Sequence, residues 1–325
     1  MSAFGSRRGT ALISALAVVA AMAAVAVELT GDLRVSIARS GNMAARDTAY
    51  WYAQGARDYA EALISRHLSE DDRAFRPDAP WLTGPIVFPV DGGRLETRLR
   101  DANNCFNLNA LVQPADAEAE RHAGERFRGL LTALGLPTGE AERIAAQTAD
   151  WIDADASPRA GGAEDSTYLG LAAPYRAANA PMVEIEEMRA LAAMTPEMFA
   201  VIAPHVCALP ETELLPLNLN TLRLQDAPQL AGLFEGRLSL SQAEAVLLRR
   251  PSGGYGDISA FWNDPVITAL GAPGSALSRV TTTSSWFEVR VDVFLADGRF
   301  SLGETVEAGP RQIRRISQRF GSLPG

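Results

Sequence analysis

The strongest chemical signal in the chain is a single acidic run, Asp150-Trp151-Ile152-Asp153-Ala154-Asp155-Ala156-Ser157-Pro158-Arg159-Ala160-Gly161-Gly162-Ala163-Glu164-Asp165. Counting Asp153 as position 1, Asp155 and Ser157 fall at positions 3 and 5, and Glu164 at position 12. That is the oxygen spacing of a calcium loop: alternate side chains on a turn converge, and a distant glutamate closes the shell. Pro158 stands at position 6, where an EF-hand takes glycine, so the loop is not an EF-hand. The alternative is a solvated acidic turn ending a helix, with Trp151 and Ile152 as its last core contacts.

Other chemistries find little support. Paired carboxylates serve glycoside hydrolysis only when burial raises one pKa, and a Gly/Pro-rich turn rarely provides that. His67, His122 and His205 lie far apart, and only His205 has a cysteine nearby, which makes no zinc ligand set. There is no G-x-S-x-G and no G-K-[ST] pattern. All 30 basic residues are arginine, which excludes Schiff-base and Walker lysines. Against 39 acidic residues they leave a net charge of −9, unfavourable for holding a phosphate backbone. The chain is expected not to be an enzyme and not to bind nucleic acid.

The elements that must position the loop read as follows. Residues 117–135, 139–152, 184–193, 195–203, 239–249 and 257–263 have helical patterning. Thr138, Thr195, and Ser239 or Ser241 are expected as helix starts. On either side of this helical stretch the period becomes two. Ile86, Phe88 and Val90, a turn at Asp91-Gly92-Gly93, then Leu95, Thr97 and Leu99 form a hairpin pattern. Phe287, Val289, Val291, Val293 and Leu295 alternate likewise, with a turn at Asp297-Gly298 and a return through Phe300 and Leu302. Ile313, Ile316 and Phe320 extend this by one more element. A helical domain inserted into a sheet domain accounts for strand character on both flanks; two consecutive domains is the alternative.

Two cysteines, Cys105 and Cys207, are the minimum for a disulfide in an exported domain. A bridge would tie the start of the helical insert to its middle; two buried free thiols is the alternative.

Residues 10–27 carry no charge, proline or glycine, enough for the lower limit of a membrane-spanning helix. Arg7 and Arg8 before them favour a cytoplasmic N-terminus. A cleaved signal peptide with Ala24-Val25-Ala26 at its cleavage site, a plain anchor and a pilin-like signal cut after Gly9 all fit this start. The continuation favours the last. No proline occurs from residue 28 to about 68. Tyr52, Ala56, Tyr59 and Leu63 recur at helical spacing, widened by Trp51, Ala60 and Ile64. One helix over 10–68 would measure about 88 Å, with bends or frays expected at Gly31 and Gly41.

Several segments in one order resemble a known family. They are Gly9-Thr10-Ala11-Leu12-Ile13, Cys105-Phe106-Asn107-Leu108-Asn109-Ala110-Leu111, Asp150–Asp155, Ala163-Glu164-Asp165 with Tyr168, Pro174–Asn179, Cys207-Ala208-Leu209-Pro210 and Leu217-Asn218-Leu219-Asn220-Thr221. Together they resemble the K-class minor pseudopilins of the type II secretion system, across the whole chain. The resemblance implies an α+β fold, a long helix packed on an antiparallel sheet, with a large helical insert of helix-hairpin-helix type. Its divisions would be a leader (1–9), a membrane and filament helix (10–68), the first sheet part (69–101), the insert (102–281) and the return strands (282–325). It implies cleavage between Gly9 and Thr10 by a prepilin peptidase, followed by methylation of the new N-terminus. It implies a single-pass inner-membrane protein with a large periplasmic part, built into the pseudopilus tip and helping to start its assembly for export of folded proteins. I-class and J-class minor pseudopilins would be partners, with contacts to the inner-membrane assembly platform and exported substrates. Calcium would bind through Asp153, Asp155, Glu164 and Asp165, with Glu187 as a further ligand. Pilins carry glutamate as the fifth mature residue; here that residue is Ser14, which suits a subunit with nothing above it. The other reading of the insert is a membrane-anchored helix-hairpin-helix protein of a DNA-uptake apparatus. Its hairpin position, Phe234-Glu235-Gly236-Arg237, has one glycine and an acid where backbone amides would meet phosphate.

Overall fold

A computed structural model of the chain describes residues 6–69, 74–271, 279–295, 298–309 and 312–321. Ser6–Ser69 is one uninterrupted helix, α1. Neither Gly31 nor Gly41 bends it out of helical geometry. Each costs about 1 kcal/mol, which a long helix absorbs because propagation is easy once turns exist.

From Thr10 on, the first half of α1 is exposed, including Leu12, Ile13, Leu16, Val19 and Met22. Only from Ala49 does α1 find a partner. Ala49, Ala53, Ala56, Ala60, Ile64 and Leu68 are buried there. Of the expected face, Ala56, Ala60 and Ile64 are on this line, but Tyr59 is exposed, Tyr52 and Leu63 are half-buried, and Trp51 is 70% exposed. Alanines on the contact line let the helix lie close on the sheet, and rings there would hold it off. The rings flank the contact instead. Tyr59 meets Phe88 edge-on at 5.3 Å, and Tyr50 meets Phe300 and Phe320 at 6.3 and 5.9 Å.

The strands in chain order are β1 (Ile86–Val90), β2 (Gly93–Asp101), β3 (Phe106–Asn107), β4 (Val206–Cys207), β5 (Leu217–Asn218), β6 (Val280–Thr281), β7 (Trp286–Leu295), β8 (Gly298–Gly309) and β9 (Gln312–Phe320). Five of them form one antiparallel sheet in the order β1-β2-β7-β8-β9. Its apolar face is Leu95, Leu99, Phe287, Val289, Val291, Val293, Leu302 and Val306, packed under α1. The expected turn residue Asp297 lies outside the described residues.

Everything from Ala102 to Thr281 enters and leaves between β2 and β7, which are neighbours. This stretch holds α3 (Ala117–Ala133), α4 (Thr138–Ile152), α5 (Asp165–Tyr168), α6 (Pro196–Ile202), α7 (Ala227–Leu233), α8 (Leu240–Leu248), α9 (Ser259–Trp262) and α10 (Pro265–Leu270); α2 (Pro80–Thr83) precedes the sheet. Thr195 and Ser239 cap α6 and α8 as expected, the latter in a capping box with Gln242. Thr138 does not cap: Pro137 takes the N-cap position and Thr138 is the first helical residue. Residues 184–193 form no α-helix, only a 3₁₀ segment at Ile185–Ala190, because Glu187 folds back on the Glu184 amide and closes a tight turn.

Where the insert meets the sheet, buried asparagines replace strand pairing. Asn103 Oδ1 accepts from the Ser285 and Trp286 amides at 3.1 and 3.0 Å. Asn104 Oδ1 accepts from the Asn218 amide at 2.8 Å while its Nδ2 donates to the Asn218 carbonyl at 3.2 Å. Asn109 joins Met182 and Leu209 in the same way. An amide side chain satisfies one donor and one acceptor at once, which buried backbone requires.

Asp101, the last residue of β2, is buried among these groups. Burial pushes its carboxyl up to about 6, although Ser284, Thr221 and the Asn103 amide donate to it. The folded chain therefore holds a proton between about pH 4 and 6 that the unfolded chain has released, so this group's stabilisation is lost as pH rises through that window. Asp101→Asn should flatten the fall in urea midpoint measured from about pH 4 to 7. An unchanged slope would assign the pH dependence elsewhere.

Candidate functional site

Helix α4 ends at Ile152 with Trp151 and Ile152 in the core, and the acidic run begins within its last turn at Asp150. Asp150 is fully buried, and the loop winds around its carboxylate. Oδ2 accepts from the Ala163 amide at 2.8 Å, and Oδ1 accepts from the Arg159 guanidinium at 3.0 Å. Burial raises the Asp150 pKa, opposed by the Arg159 bonds. A Cβ on Gly162 would lie 1.8 Å from Asp150 Oδ2. Gly162→Ala should therefore cost about 1–3 kcal/mol through forced displacement of the loop, read as a lower denaturation midpoint. Retention of the wild-type midpoint would mean the loop has room to shift.

Of the residues expected to bind a cation, three converge. One carboxylate oxygen each from Asp153, Asp155 and Glu164 lie within 4.8 Å of one another. Glu164 is 2% exposed and neither of its oxygens has a hydrogen-bond partner; Asp153 is 6% exposed and its Oδ1 has none. Burial, then the charges of Asp150, Asp153, Asp155 and Asp165, raise the Glu164 pKa. A buried carboxylate without a partner is costly and calls for a cation. The donors are all hard oxygens and no nitrogen or sulfur joins them, which suits calcium and not zinc. The residues present thus fit the ion that the spacing predicts.

The two other expected ligands stand apart from this trio. Asp165 opens α5, where Oδ1 accepts from the Ala177 amide at 3.0 Å and Oδ2 pairs with Arg176 at 3.3 Å. Glu187 Oε1 accepts from the Val183 and Glu184 amides at 2.7 and 3.1 Å, and Oε2 accepts from Trp151 Nε1 at 3.3 Å. Glu187 thereby ties its 3₁₀ segment to the last turn of α4. Sequence reading missed Asp150 and Arg159 as loop organisers, and Asn179, whose Nδ2 donates to the Asp155 carbonyl at 3.0 Å while its Oδ1 is buried without a partner. Asn179 has φ +47°, a local signal invisible in the sequence.

A second group, His122, Glu125 and Glu235, joins α3 to the turn between α7 and α8. Its members are already paired: Glu235 with Arg279 at 3.3 Å and His122 at 3.2 Å, and Glu125 with Arg121 at 2.7 Å. It reads as an ion-pair clasp on the hairpin. Glu235 places a carboxylate at the hairpin where a DNA-binding version would offer amides to phosphate.

At the N-terminus, Gly9 and Thr10 lie within α1, and Ser14 Oγ donates to the Thr10 carbonyl at 2.9 Å. Thr10–Ser69 is long and apolar enough at its start to cross a membrane, and the apolar stretch has no protein packed on it.

A helix bare and apolar over residues 10–27 and packed on an antiparallel sheet from Ala49 onward defines a pilin-class subunit with a candidate membrane anchor. Comparison with known proteins narrows the class. Family models described as "Type II secretion system (T2SS), protein K" match residues 104–211 and 217–282. The type II secretion system protein K of Pectobacterium carotovorum is 33% identical over 97% of both chains. That of Aeromonas hydrophila is 33% identical over 90% of this chain and 91% of its own. A chain of the GspK-GspI-GspJ complex from enterotoxigenic Escherichia coli superposes with a TM-score of 0.76 at 30% identity, covering 88% of this chain and 100% of that one. The chain belongs to the type II secretion system protein K family, and it is a minor pseudopilin of that system.

Proposed function

We propose that the protein is the tip subunit of the type II pseudopilus, with α1 as its inner-membrane anchor before assembly and as its filament stem afterwards. The observation that carries this reading is the start of α1. Residues 10–27 are bare and apolar, and Ser14 closes its hydroxyl on its own helix, so no charge waits for a subunit above. A glutamate there, unpaired in an apolar filament core, would be costly. In this reading 1–9 is a leader on the cytoplasmic side, 10–68 the stem, and 102–281 an insert within a sheet formed from 69–101 and 282–325. A prepilin peptidase cuts between Gly9 and Thr10 and the new N-terminus is methylated. The head faces the periplasm and binds I-class and J-class minor pseudopilins, as the solved relative's complex suggests by analogy. From the tip it would help to start pseudopilus assembly and meet the assembly platform and exported proteins.

Asp153, Asp155 and Glu164 would hold calcium in the insert, and Asp165 and Glu187 would join only if their present bonds rearranged. When bound, the ion would neutralise the converging carboxylates and fix the loop after α4.

Two measurements test the proposal. N-terminal sequencing of the mature protein should begin at Thr10; a start at Val27 would make residues 1–26 a cleaved signal peptide and sink the stem. The periplasmic part mixed with I-class and J-class partners should elute as one ternary complex, whereas three separate peaks would remove the tip assignment.

A further inference from the structure

We propose that Arg159 is a positioning residue for the candidate cation site, holding Asp153 so that a single oxygen faces inward. The inference rests on the calcium reading above. Arg159 sits at position 7 of the loop, where only a backbone carbonyl is needed from a calcium loop, yet its side chain turns back over the site. Nη1 donates to Asp150 Oδ1 at 3.0 Å and to Asp153 Oδ2. Nη2 donates to Glu120 Oε1 on α3 at 3.1 Å. Glu120 is fixed in turn, since its Oε2 accepts from the Gln113 amide at 2.9 Å. One planar cation therefore spans three carboxylates from α4, the loop and α3.

The division of Asp153 is the point. Its Oδ2 is taken by Arg159, while its Oδ1 is buried with no partner, as are both oxygens of Glu164. The guanidinium thus stands behind the ligand and leaves the converging oxygens free. It also offsets the repulsion among Asp150, Asp153, Asp155 and Glu164, so the loop holds its shape before an ion arrives. A rigid fork is required for this: the lysine ammonium is a point charge and does not reach three acceptors in one plane. Groups that orient metal ligands from behind change affinity by about 10–100-fold when altered.

The test is calorimetric titration of calcium chloride into the chelator-stripped full chain in detergent micelles. Arg159→Lys should weaken binding at least about tenfold. Glu120→Gln, a partly exposed residue on α3 that touches no converging oxygen, should weaken it in the same direction and decides the matter if Arg159→Lys fails to fold. A purely structural role would lower the melting temperature equally with and without calcium; a positioning role shrinks the calcium-dependent increment. Wild-type protein that gives no binding heat overturns the calcium reading and the proposal with it. Binding by the wild type together with unchanged or tighter binding by the variants overturns the role of Arg159 alone.

Discussion

Replacing Cys105 and Cys207 together by alanine should lower stability by about 4–5 kcal/mol in the chain-entropy treatment of a loop near 100 residues. The two residues are disulfide-bonded, 102 positions apart, with Cα atoms 5.7 Å from each other. The bond lies beside the parallel pairing of β3 with β4, in a small buried cluster with Ala102, Leu209 and Trp286. Trp286 opens β7, so the same cluster touches the point where the chain returns to the sheet. Urea unfolding of oxidised wild type against the double variant measures the difference. A loss below about 1 kcal/mol would mean that the asparagine bonds across this junction close the loop unaided.

Glu164→Gln should move stability in opposite directions depending on calcium. Without the ion, the substitution removes a buried charge that has no hydrogen-bond partner, so the variant should melt higher than wild type. With calcium at a thousandfold excess over its Kd, wild type should gain about 4 kcal/mol, because only the folded site binds. The variant should gain little. Thermal melts of both proteins in EGTA and in calcium read the crossing directly. A wild-type melt insensitive to calcium, or a variant that gains as much as wild type, would remove Glu164 from the site. Asp153→Ala should lose the calcium increment too, but without the rise in EGTA, because it also removes one of the three carboxylates that hold the Arg159 guanidinium.

Much of this was legible in the sequence. Hydrophobic periodicity reports which residues face a core, so α1, the hairpin before Asp101 and the strands from Trp286 onward were readable. It does not report how near the partner lies. That is why Trp51 and Tyr59 are expected on the sheet with Ala56, Ala60 and Ile64, whereas only the small and aliphatic residues of that face, with Tyr52 at its margin, reach the core. Loop spacing reported Asp153, Asp155 and Glu164, because convergence on a turn is a local property. Asp165 and Glu187 came from the family resemblance, and both already bond to backbone amides that no spacing rule registers. Arg159 and Asp150 were passed over because a ligand pattern counts oxygens and ignores what holds them. The buried asparagines were visible only as recurring segments; their partners lie about 70–180 residues away, beyond any local signal.

The pairing of β2 with β7 also bears on the order in which the molecule assembles. Asp101 pairs with Phe287, 287 minus 101 or 186 positions later. Closing so long a segment is entropically unfavourable, and contacts at such separation slow folding. The insert removes that obstacle if it forms first, since its Thr221 bonds to Asp101 and its Asn218 to Ser284. Pulsed hydrogen exchange should then protect α3 and α4 before β7, and simultaneous protection would refute that sequence. The face that receives Ala49 to Leu68 is complete only when the sheet has closed. Helix α1 would gain its footing on the head last, and the insert would be the template on which the rest of the head is built.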